Sequence, residues 1–379
     1  MQVLFIYCRA RSGSYYVHSL FDGHPDVLSL PPLKTTRLFF HSSNIYWEVD
    51  GRPKLPTKGL VEAFVQTNAT LFDARGRANG QGYDRMGPGE GDALTVSPAV
   101  FVDHLHSILR ESSGEITRRA FFIAVHQAYD KAVYGEGRQG KVIVYQAHNP
   151  LDDLGNNGLS RDFPEAKLLL TMQEAVRSLV SLIYQKNSED FHRIAASGRF
   201  LLCFKATVFG WRGLSRRLKK SQQMITCMNV MNRDLAAETR RYCAFVSIPW
   251  LPQMLNSTFN GMVWNGDNWS KLPVMPGKTG EKVRTQRLRA TLFNRDELIL
   301  RVLSSDVRRS CCFYKVSLQE YVRGAFAFHL PMKIEVVGLS DAWRRKSFKE
   351  LLSASYFYVR RVLMSYPIFI GAILRPSKL

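Results

Sequence analysis

The residues best placed to do chemistry lie in a basic turn near the start of the chain. The turn reads Arg9-Ala-Arg-Ser-Gly-Ser14; it follows an apolar segment predicted to be a strand, residues 3–7, and precedes a helix predicted to begin at Ser14. At the start of a helix the backbone N–H groups lack partners within the helix and the helix dipole is positive, so both attract an anion. Arginine side chains add full charges that match phosphate or sulfate oxygens. The turn therefore predicts a binding site for such a group.

On its own, the turn leaves alternatives open. It lacks the Gly-Lys-Ser/Thr ending of an ATP-binding Walker loop, so an ATPase or kinase is not the first interpretation. Turns of this kind also occur as plain connections in α/β proteins, with arginines that only face solvent. The turn alone does not decide between an anion site and a plain connection.

A histidine follows another predicted strand, where a parallel sheet usually binds its ligands. Gln146 and Ala147 end the apolar segment 141–147, and His148 follows directly. Ligands of parallel sheets bind beyond the carboxyl ends of the strands. Because the ordinary histidine pKa is about 6.5, a neutral imidazole is available to remove a proton at neutral pH. His148 is therefore a candidate general base, and the alternative is a histidine that only hydrogen-bonds a neighbouring loop.

Together the turn and these strand ends resemble the sulfotransferases that use 3′-phosphoadenylyl sulfate (PAPS) as donor. The turn is similar to the family's loop for the 5′-phosphosulfate group, and His148 stands where cytosolic members carry their general base. The segment 255–270 is similar to a Ser-Thr…Gly…Trp segment of bacterial carbohydrate-type members. The resemblance implies catalytic roles for His148 and Arg11. It implies donor contacts from Arg9, Arg11, Ser12, Gly13, Ser14, Tyr15, Gln173, Arg177 and Ser181.

The sequence departs from the family's pattern at three places. Members hold the 3′-phosphate with an arginine and with a serine eight residues later, and this chain has Gln173 and Ser181 there. Arg177 lies four residues from each of them, on the same helical face, and is the candidate replacement for the missing charge. Gln146 stands where the family has a lysine, and residues 229–232 lack the acids of the family's Tyr-Glu-Asp-Leu tract. The resemblance covers residues 1–275.

The resemblance implies a transferase that moves a sulfuryl group from PAPS to a hydroxyl of a glycan, a lipid-linked sugar or a small molecule, without a metal. Two other classes stay open. One is a sulfotransferase-like nucleotide-binding protein without turnover, which the departures suggest. The other is a polyanion-binding module, which the net charge of +20 suggests. The basic run 278–295 carries no recognition motif with interleaved aromatics, so we expect no nucleic-acid partner.

Predicted strands alternate with predicted helices along most of the chain. This alternation favours a parallel sheet with helices on both faces. We expect a three-layer α/β domain of P-loop type over residues 1–275. A basic region of mixed or helical structure, residues 276–379, is expected to pack on it.

The cysteines and the two ends of the chain give expectations about location. Six cysteines without zinc-type spacing predict reduced thiols. The first predicted strand begins at residue 3, which leaves no room for a leader, so we expect a cytoplasmic protein. The apolar segment 355–370 carries a basic pair and is too short to span a bilayer. It is expected either to dock as a C-terminal helix or to lie on a membrane surface.

Overall fold

The computed structural model describes most of the chain, with gaps. It covers residues 1–8, 12–32, 46–48, 50–76, 82–111, 116–135, 138, 140–147, 161–187, 194, 198–209, 222–266, 288–304 and 316–373. Arg9, Arg11 and His148, three of the predicted site residues, lie outside these ranges. What the sequence predicts for these three residues stays a prediction.

Five parallel strands form a sheet at the centre of the described structure. Their order across the sheet is β2-β3-β1-β4-β5. The first strand of the chain therefore lies in the middle, with β3 on one side and β4 on the other. Continuous apolar runs form these strands because a parallel sheet is covered on both faces. The strands are β1 Gln2–Cys8, β2 Val27–Ser29, β3 Val142–Ala147, β4 Lys167–Met172 and β5 Gln223–Cys227.

Helices cover both faces of this sheet, as the sequence predicted. Val3, Phe5 and Tyr7 pack in one apolar cluster, whereas Leu4 and Ile6 pack in another on the opposite face. The fold is thus the three-layer α/β arrangement expected from the alternation of elements. The helices are α1 Ser14–Ser19, α2 Thr57–Thr67, α3 Ala69–Phe72, α4 Pro98–Glu111, α5 Arg118–Tyr134, α6 Ala175–Asn187, α7 Arg199–Phe209, α8 Met228–Met231, α9 Leu235–Val246, α10 Asn294–Leu303, α11 Leu318–Ala327, α12 Lys333–Arg344 and α13 Phe348–Ile373.

The later helices share an apolar cluster of their own. This cluster joins α6 and α7 to α10, α11, α12 and α13. Since α6 also begins only three residues after the end of β4, it connects the sheet to the helical cluster. The predicted domain boundary at residue 275 stays a prediction, because residues 267–287 lie outside the described ranges. Members of the cluster include Leu179, Ile183, Phe204, Ile299, Leu300, Phe328 and Phe369.

The cysteines depart in part from the sequence expectation. Cys203 and Cys243 are buried and form no disulfide, as expected for small apolar side chains. Cys227 instead forms a disulfide, contrary to the expectation of reduced thiols throughout. Within the described ranges, no helix is long and apolar enough to cross a membrane.

Candidate functional site

The three polar segments singled out in the sequence begin at neighbouring strand ends. In the strand register Tyr7 pairs with Ala147 on β3, and Cys8 pairs with Thr171 on β4. The carboxyl ends of β3, β1 and β4 therefore lie side by side at one edge of the sheet. The connection from β1 leads to β2 on one side of the sheet, whereas the connection from β3 leads to β4 on the other side. Proteins with α/β sheets of this kind bind ligands where two such connections leave in opposite directions. The three segments thus begin at adjacent strand ends.

Glycine is required in the turn after β1 for two separate reasons. Gly13 precedes the first residue of α1 and has a φ of 78°, in the left-handed region. A Cβ atom built on Gly13 would lie 2.2 Å from Sδ of Met228, far inside van der Waals contact. Met228 reaches the turn because it begins α8, directly after β5. The backbone conformation thus disfavours a larger residue, and a Cβ atom would also force the end of the Met228 side chain to move.

We predict that Gly13→Ala lowers the free energy of unfolding more than an alanine at an unpacked glycine of positive φ does. Gly76 is that control: its φ is 65° and nothing lies within 4 Å of the position of its Cβ. Gly76→Ala should cost about 1 kcal/mol from backbone strain, whereas Gly13→Ala should cost about 1 kcal/mol more because the end of the Met228 side chain has to move. Chemical denaturation measures both values.

The double variant Gly13→Ala/Met228→Ala tests the cause of this difference. Shortening Met228 removes the side chain with which the new Cβ would collide. The double variant should therefore be more stable than the sum of the two single changes implies. Equal losses for Gly13→Ala and Gly76→Ala would contradict a packing effect at Gly13.

The Ser12 hydroxyl fastens the turn to β4. Ser12 is 1% exposed, and its Oγ lies 2.7 Å from Oγ1 of Thr171. Thr171 donates its own proton to the carbonyl oxygen of Tyr7 at 3.0 Å, so Ser12 must be the donor to Thr171. The side chain of Ser12 is thus used in holding the turn. What this residue can offer a ligand is its backbone N–H.

Gln146 fastens the start of α1 to β3 in the same way. Its Nε2 donates to Oγ of Ser14 at 2.9 Å, and both side chains are buried. The amide oxygen of Gln146 is buried and has no hydrogen-bond partner within the described residues. An unpaired buried polar atom of this kind costs about 1–3 kcal/mol. Gln146 is therefore an unsatisfied polar group at the strand end next to the turn.

Gln173, Arg177 and Ser181 follow β4 on the third segment. Gln173 comes directly after the last strand residue. The backbone carbonyl oxygen of Glu174 accepts a hydrogen bond from the backbone N–H of Ser178 at 2.9 Å, at the start of α6. Arg177 and Ser181 lie one helical turn apart in α6, on the face predicted from their spacing. All three side chains are partly exposed. Their assignment to a donor phosphate stays a prediction.

Glu174 changes the electrostatics of this segment. Its Oε2 lies 3.7 Å from Nε of Arg177, so the cation that the sequence offered as a replacement has a carboxylate beside it. The Arg177 side chain is 41% exposed, and an ion pair at that exposure is screened and weak. A phosphate group would therefore meet a cation whose charge Glu174 has partly neutralised.

The segment 255–270, predicted to be a binding loop, forms a hairpin that packs on α1. Its strands are β6 Thr258–Phe259 and β7 Met262–Val263. Trp264, 4% exposed, stacks on the ring of Tyr15 with 6.4 Å between centroids. Tyr15, one of the predicted donor contacts, is thus held by the hairpin. The described part of this segment, up to residue 266, supports α1, and residues 267–270 lie outside the described ranges.

Asp22 anchors the hairpin to the turn that follows α1. Its carboxylate accepts hydrogen bonds from Oγ1 of Thr258 at 2.9 Å, from the backbone of Asn260 and Gly261, and from the Tyr134 hydroxyl at 3.1 Å. Burial raises the pKa of Asp22, and these hydrogen bonds oppose that shift. The group therefore acts as a buried acceptor that keeps α1 in place.

Two buried histidines close to α1 are unsuited to be the base. Burial lowers the pKa of His18 to about 3 and that of His126 to about 4, so both are neutral at pH 7. Both side chains are essentially inaccessible to solvent. An acceptor hydroxyl could not reach either ring.

Sequence reasoning missed the side chains that hold the site together. Thr171 is a polar residue within an apolar strand, and that contrast was a usable signal. Asp22 precedes a glycine and therefore looked like an ordinary turn residue. Nothing in the sequence marked Met228 as the residue that packs on Gly13.

Comparison with known proteins gives matches among solved structures alone. No family model matches the chain, and no curated protein matches it. The sulfotransferase domain of the Synechococcus PCC 7002 olefin synthase is 13% identical, with a TM-score of 0.42 over 87% of this chain and 96% of that one. The sulfotransferase domain of the curacin biosynthetic pathway is 13% identical, with a TM-score of 0.40 over 76% and 96%.

A third similar structure is sulfotransferase STF9 from Mycobacterium avium. It is 14% identical, with a TM-score of 0.39 over 83% of this chain and 78% of that one. Overlaps of this extent do not transfer an activity from one protein to another. The function of this chain therefore has to be inferred from its own residues.

Proposed function

We propose that the chain is a sulfotransferase that moves a sulfuryl group from PAPS to an acceptor hydroxyl. The observation that carries the proposal is the turn at the end of the central strand. Ser12 fastens it to β4 and Gln146 fastens it to β3, so the backbone N–H groups at the start of α1 are fixed at the edge where β3, β1 and β4 end. Fixed N–H groups at such an edge suit a phosphosulfate group.

The residues fit the two ends of the donor unequally. At the 5′ end, the glycine conformation, the fixed turn and the adjacent Arg9 and Arg11 in the sequence all favour an anion. At the 3′ end, Gln173 offers only neutral hydrogen bonds, and the guanidinium group of Arg177 has the carboxylate of Glu174 beside it. We therefore expect the phosphosulfate end to contribute more to donor binding than the 3′-phosphate does.

In the proposed reaction, charge stabilisation and positioning do most of the catalysis. Arg11 and the N–H groups of residues 12–14 stabilise negative charge that builds on the bridging and phosphate oxygens. His148 takes the proton of the acceptor hydroxyl while the acceptor oxygen bonds to sulfur and the sulfur–oxygen bond to the 5′-phosphate breaks. Adenosine 3′,5′-bisphosphate is the leaving product. Ser181 and Arg177 hold its 3′-phosphate.

The experiment that tests this activity follows the label from donor to product. The protein is incubated with PAPS carrying a radioactive sulfur and with a panel of acceptors that includes sugars, glycolipids and phenols. The proposal expects labelled, sulfated product together with adenosine 3′,5′-bisphosphate. Failure to transfer label to any acceptor, in a protein that binds PAPS, would favour the second candidate.

That second candidate is a nucleotide-binding protein of the same fold without turnover. The carboxylate of Glu174 beside Arg177, at the position where the family concentrates positive charge, favours it. The two candidates share the donor site and differ in whether His148 has an acceptor to deprotonate.

We predict that Gln173→Arg tightens the binding of adenosine 3′,5′-bisphosphate by about tenfold, because a charged donor to a phosphate is worth about 1.5–3 kcal/mol and Glu174 offsets part of it. The affinity for adenosine 5′-phosphate, which lacks the 3′-phosphate, should stay nearly the same. Calorimetric titration measures both ligands.

Gln66→Arg is the matched control for this gain. Gln66 is exposed on α2, so the variant carries the same added charge away from the predicted phosphate position. An equal gain in both variants, or an equal gain for both nucleotides, would mean that Gln173 does not face the 3′-phosphate.

A further inference from the structure

The last helix docks on the protein through one face only. Arg361 is fully buried on that face; its Nε donates to Oε1 of Glu335 at 2.7 Å, and its terminal nitrogens donate to the carbonyl oxygens of Phe328 and Leu330. Phe369 stacks on Phe328 with 5.1 Å between centroids. These contacts orient α13 and leave its opposite face turned outward.

That outward face is apolar along the whole described helix. The residues that form it follow one another at spacings of three or four, which places them on one side of a helix. They span about 33 Å at 1.5 Å per residue. Each is between 38% and 73% exposed, and Trp343 at the end of α12 is 74% exposed. This apolar stripe consists of Phe348, Leu352, Tyr356, Val359, Leu363, Tyr366 and Ile370.

Positive charge borders the apolar stripe. Arg360 lies beside Tyr356 and donates to its hydroxyl at 3.3 Å, and Lys349 lies beside Phe348. Three further exposed cations are Arg344, which ends α12, and residues 345–346, which follow it. Arg345 is paired with Asp341 at 2.9 Å, and between residues 343 and 370 the sequence contains a single acid, Glu350. The surface therefore combines exposed aromatic and aliphatic side chains with a border that is mainly positive.

We propose that the apolar stripe binds the surface of a membrane that contains anionic lipids. Apolar side chains of an amphipathic helix enter the boundary between headgroups and acyl chains, and bordering cations pair with anionic headgroups. Trp343 and Tyr356 suit that boundary, since amphipathic rings collect there.

The charges favour this occupant over a second copy of the chain. Two copies pairing antiparallel through the same stripe, whose midpoint is residue 359, would bring Arg360 of one copy towards Arg360 of the other. Like charges at such a border oppose association. An anionic lipid surface instead complements all of them at once.

Vesicle co-sedimentation tests the proposal with the full chain. We expect binding to vesicles of phosphatidylcholine mixed with phosphatidylserine to exceed binding to phosphatidylcholine alone by about tenfold or more, because each cation near the surface adds to the attraction. Val359→Glu/Leu363→Glu, at two exposed positions of the stripe, should abolish binding. The exposed apolar residue Val100 on α4 provides the control, and Val100→Glu should bind as the wild type does.

A second variant keeps the test valid if the first one folds poorly. Lys349→Glu/Arg360→Glu changes only exposed side chains and should remove the preference for phosphatidylserine. Brominated lipids should quench Trp343, and the quenching should be lost in Trp343→Phe.

Three results would overturn the proposal. One is an absence of binding to either vesicle. Another is unchanged binding in both the stripe variant and the charge variant. The third is a wild-type dimer, measured by light scattering, that the stripe variant makes monomeric while vesicles bind neither protein.

Discussion

Arg11→Ala should weaken the binding of adenosine 3′,5′-bisphosphate by about tenfold to a hundredfold, since a charged donor to a phosphate is worth about 1.5–3 kcal/mol. Ser12 and Ser14, which come after Arg11 in the turn, are held by Thr171 and Gln146. The expected loss therefore reflects a missing charge next to a fixed segment. Calorimetric titration of both proteins measures it.

Arg323→Ala is the control for this loss. Arg323 is exposed on α11, within the helical cluster, so its removal changes the net charge equally. Its affinity for the nucleotide should match that of the wild type. If Arg11→Ala and Arg323→Ala have the same affinity, Arg11 does not contact the donor.

His148→Ala should lower turnover by about 10²- to 10⁴-fold, the usual contribution of a positioned general base. Donor affinity should stay within about twofold, because a base that acts on the acceptor does not hold the nucleotide. The measurement compares turnover with nucleotide titration for the same variant. Added imidazole should restore part of the activity of His148→Ala, which a purely structural role would not allow.

His106→Ala is the matched histidine control. His106 lies on α4, and the apolar residues of that helix belong to the cluster on one face of the sheet. Removal of the His106 imidazole should leave turnover unchanged. Equal turnover for wild type and His148→Ala would remove His148 from the mechanism. A parallel loss of donor binding and turnover would place His148 at the nucleotide instead.

Local patterns predicted the framework of the fold well. The apolar runs at β1, β3 and β4 are continuous because both faces of a parallel sheet are buried, and that continuity is visible in the sequence. Helix α1 begins at Ser14, as predicted. Helix α4 begins at Pro98, where a proline costs no hydrogen bond because the first N–H groups of a helix have no partner within it.

The interactions that hold the candidate site depend on distant residues and escaped prediction. Ser12 meets Thr171 across 159 residues of sequence, and Gln146 meets Ser14 across 132. No local pattern specifies which polar side chains a sheet brings together. Sequence spacing offered Arg177 as a replacement for the charge missing at Gln173, but it could not predict the neighbouring carboxylate of Glu174, because that pairing depends on side-chain conformation.

The sequence left two alternatives open for the C-terminal segment. The apolar run 355–370 suggested either a docked helix or a membrane-surface helix. The structure confirms docking, through Arg361 and Phe369 on one face. The opposite face stays exposed and carries the proposed membrane contact. Composition could not separate the two faces, because both are apolar.

Titration of the wild-type protein with adenosine 3′,5′-bisphosphate tests the central claim most directly. We predict saturable binding of one nucleotide per chain, with a weaker affinity in Arg11→Ala and an unchanged affinity in Arg323→Ala. The affinity for adenosine 5′-phosphate should be nearly as high, because Gln173 and the Glu174–Arg177 pair offer little net positive charge to a 3′-phosphate. Absence of saturable binding, or binding that Arg11→Ala leaves unchanged, would contradict a donor site at the turn after β1.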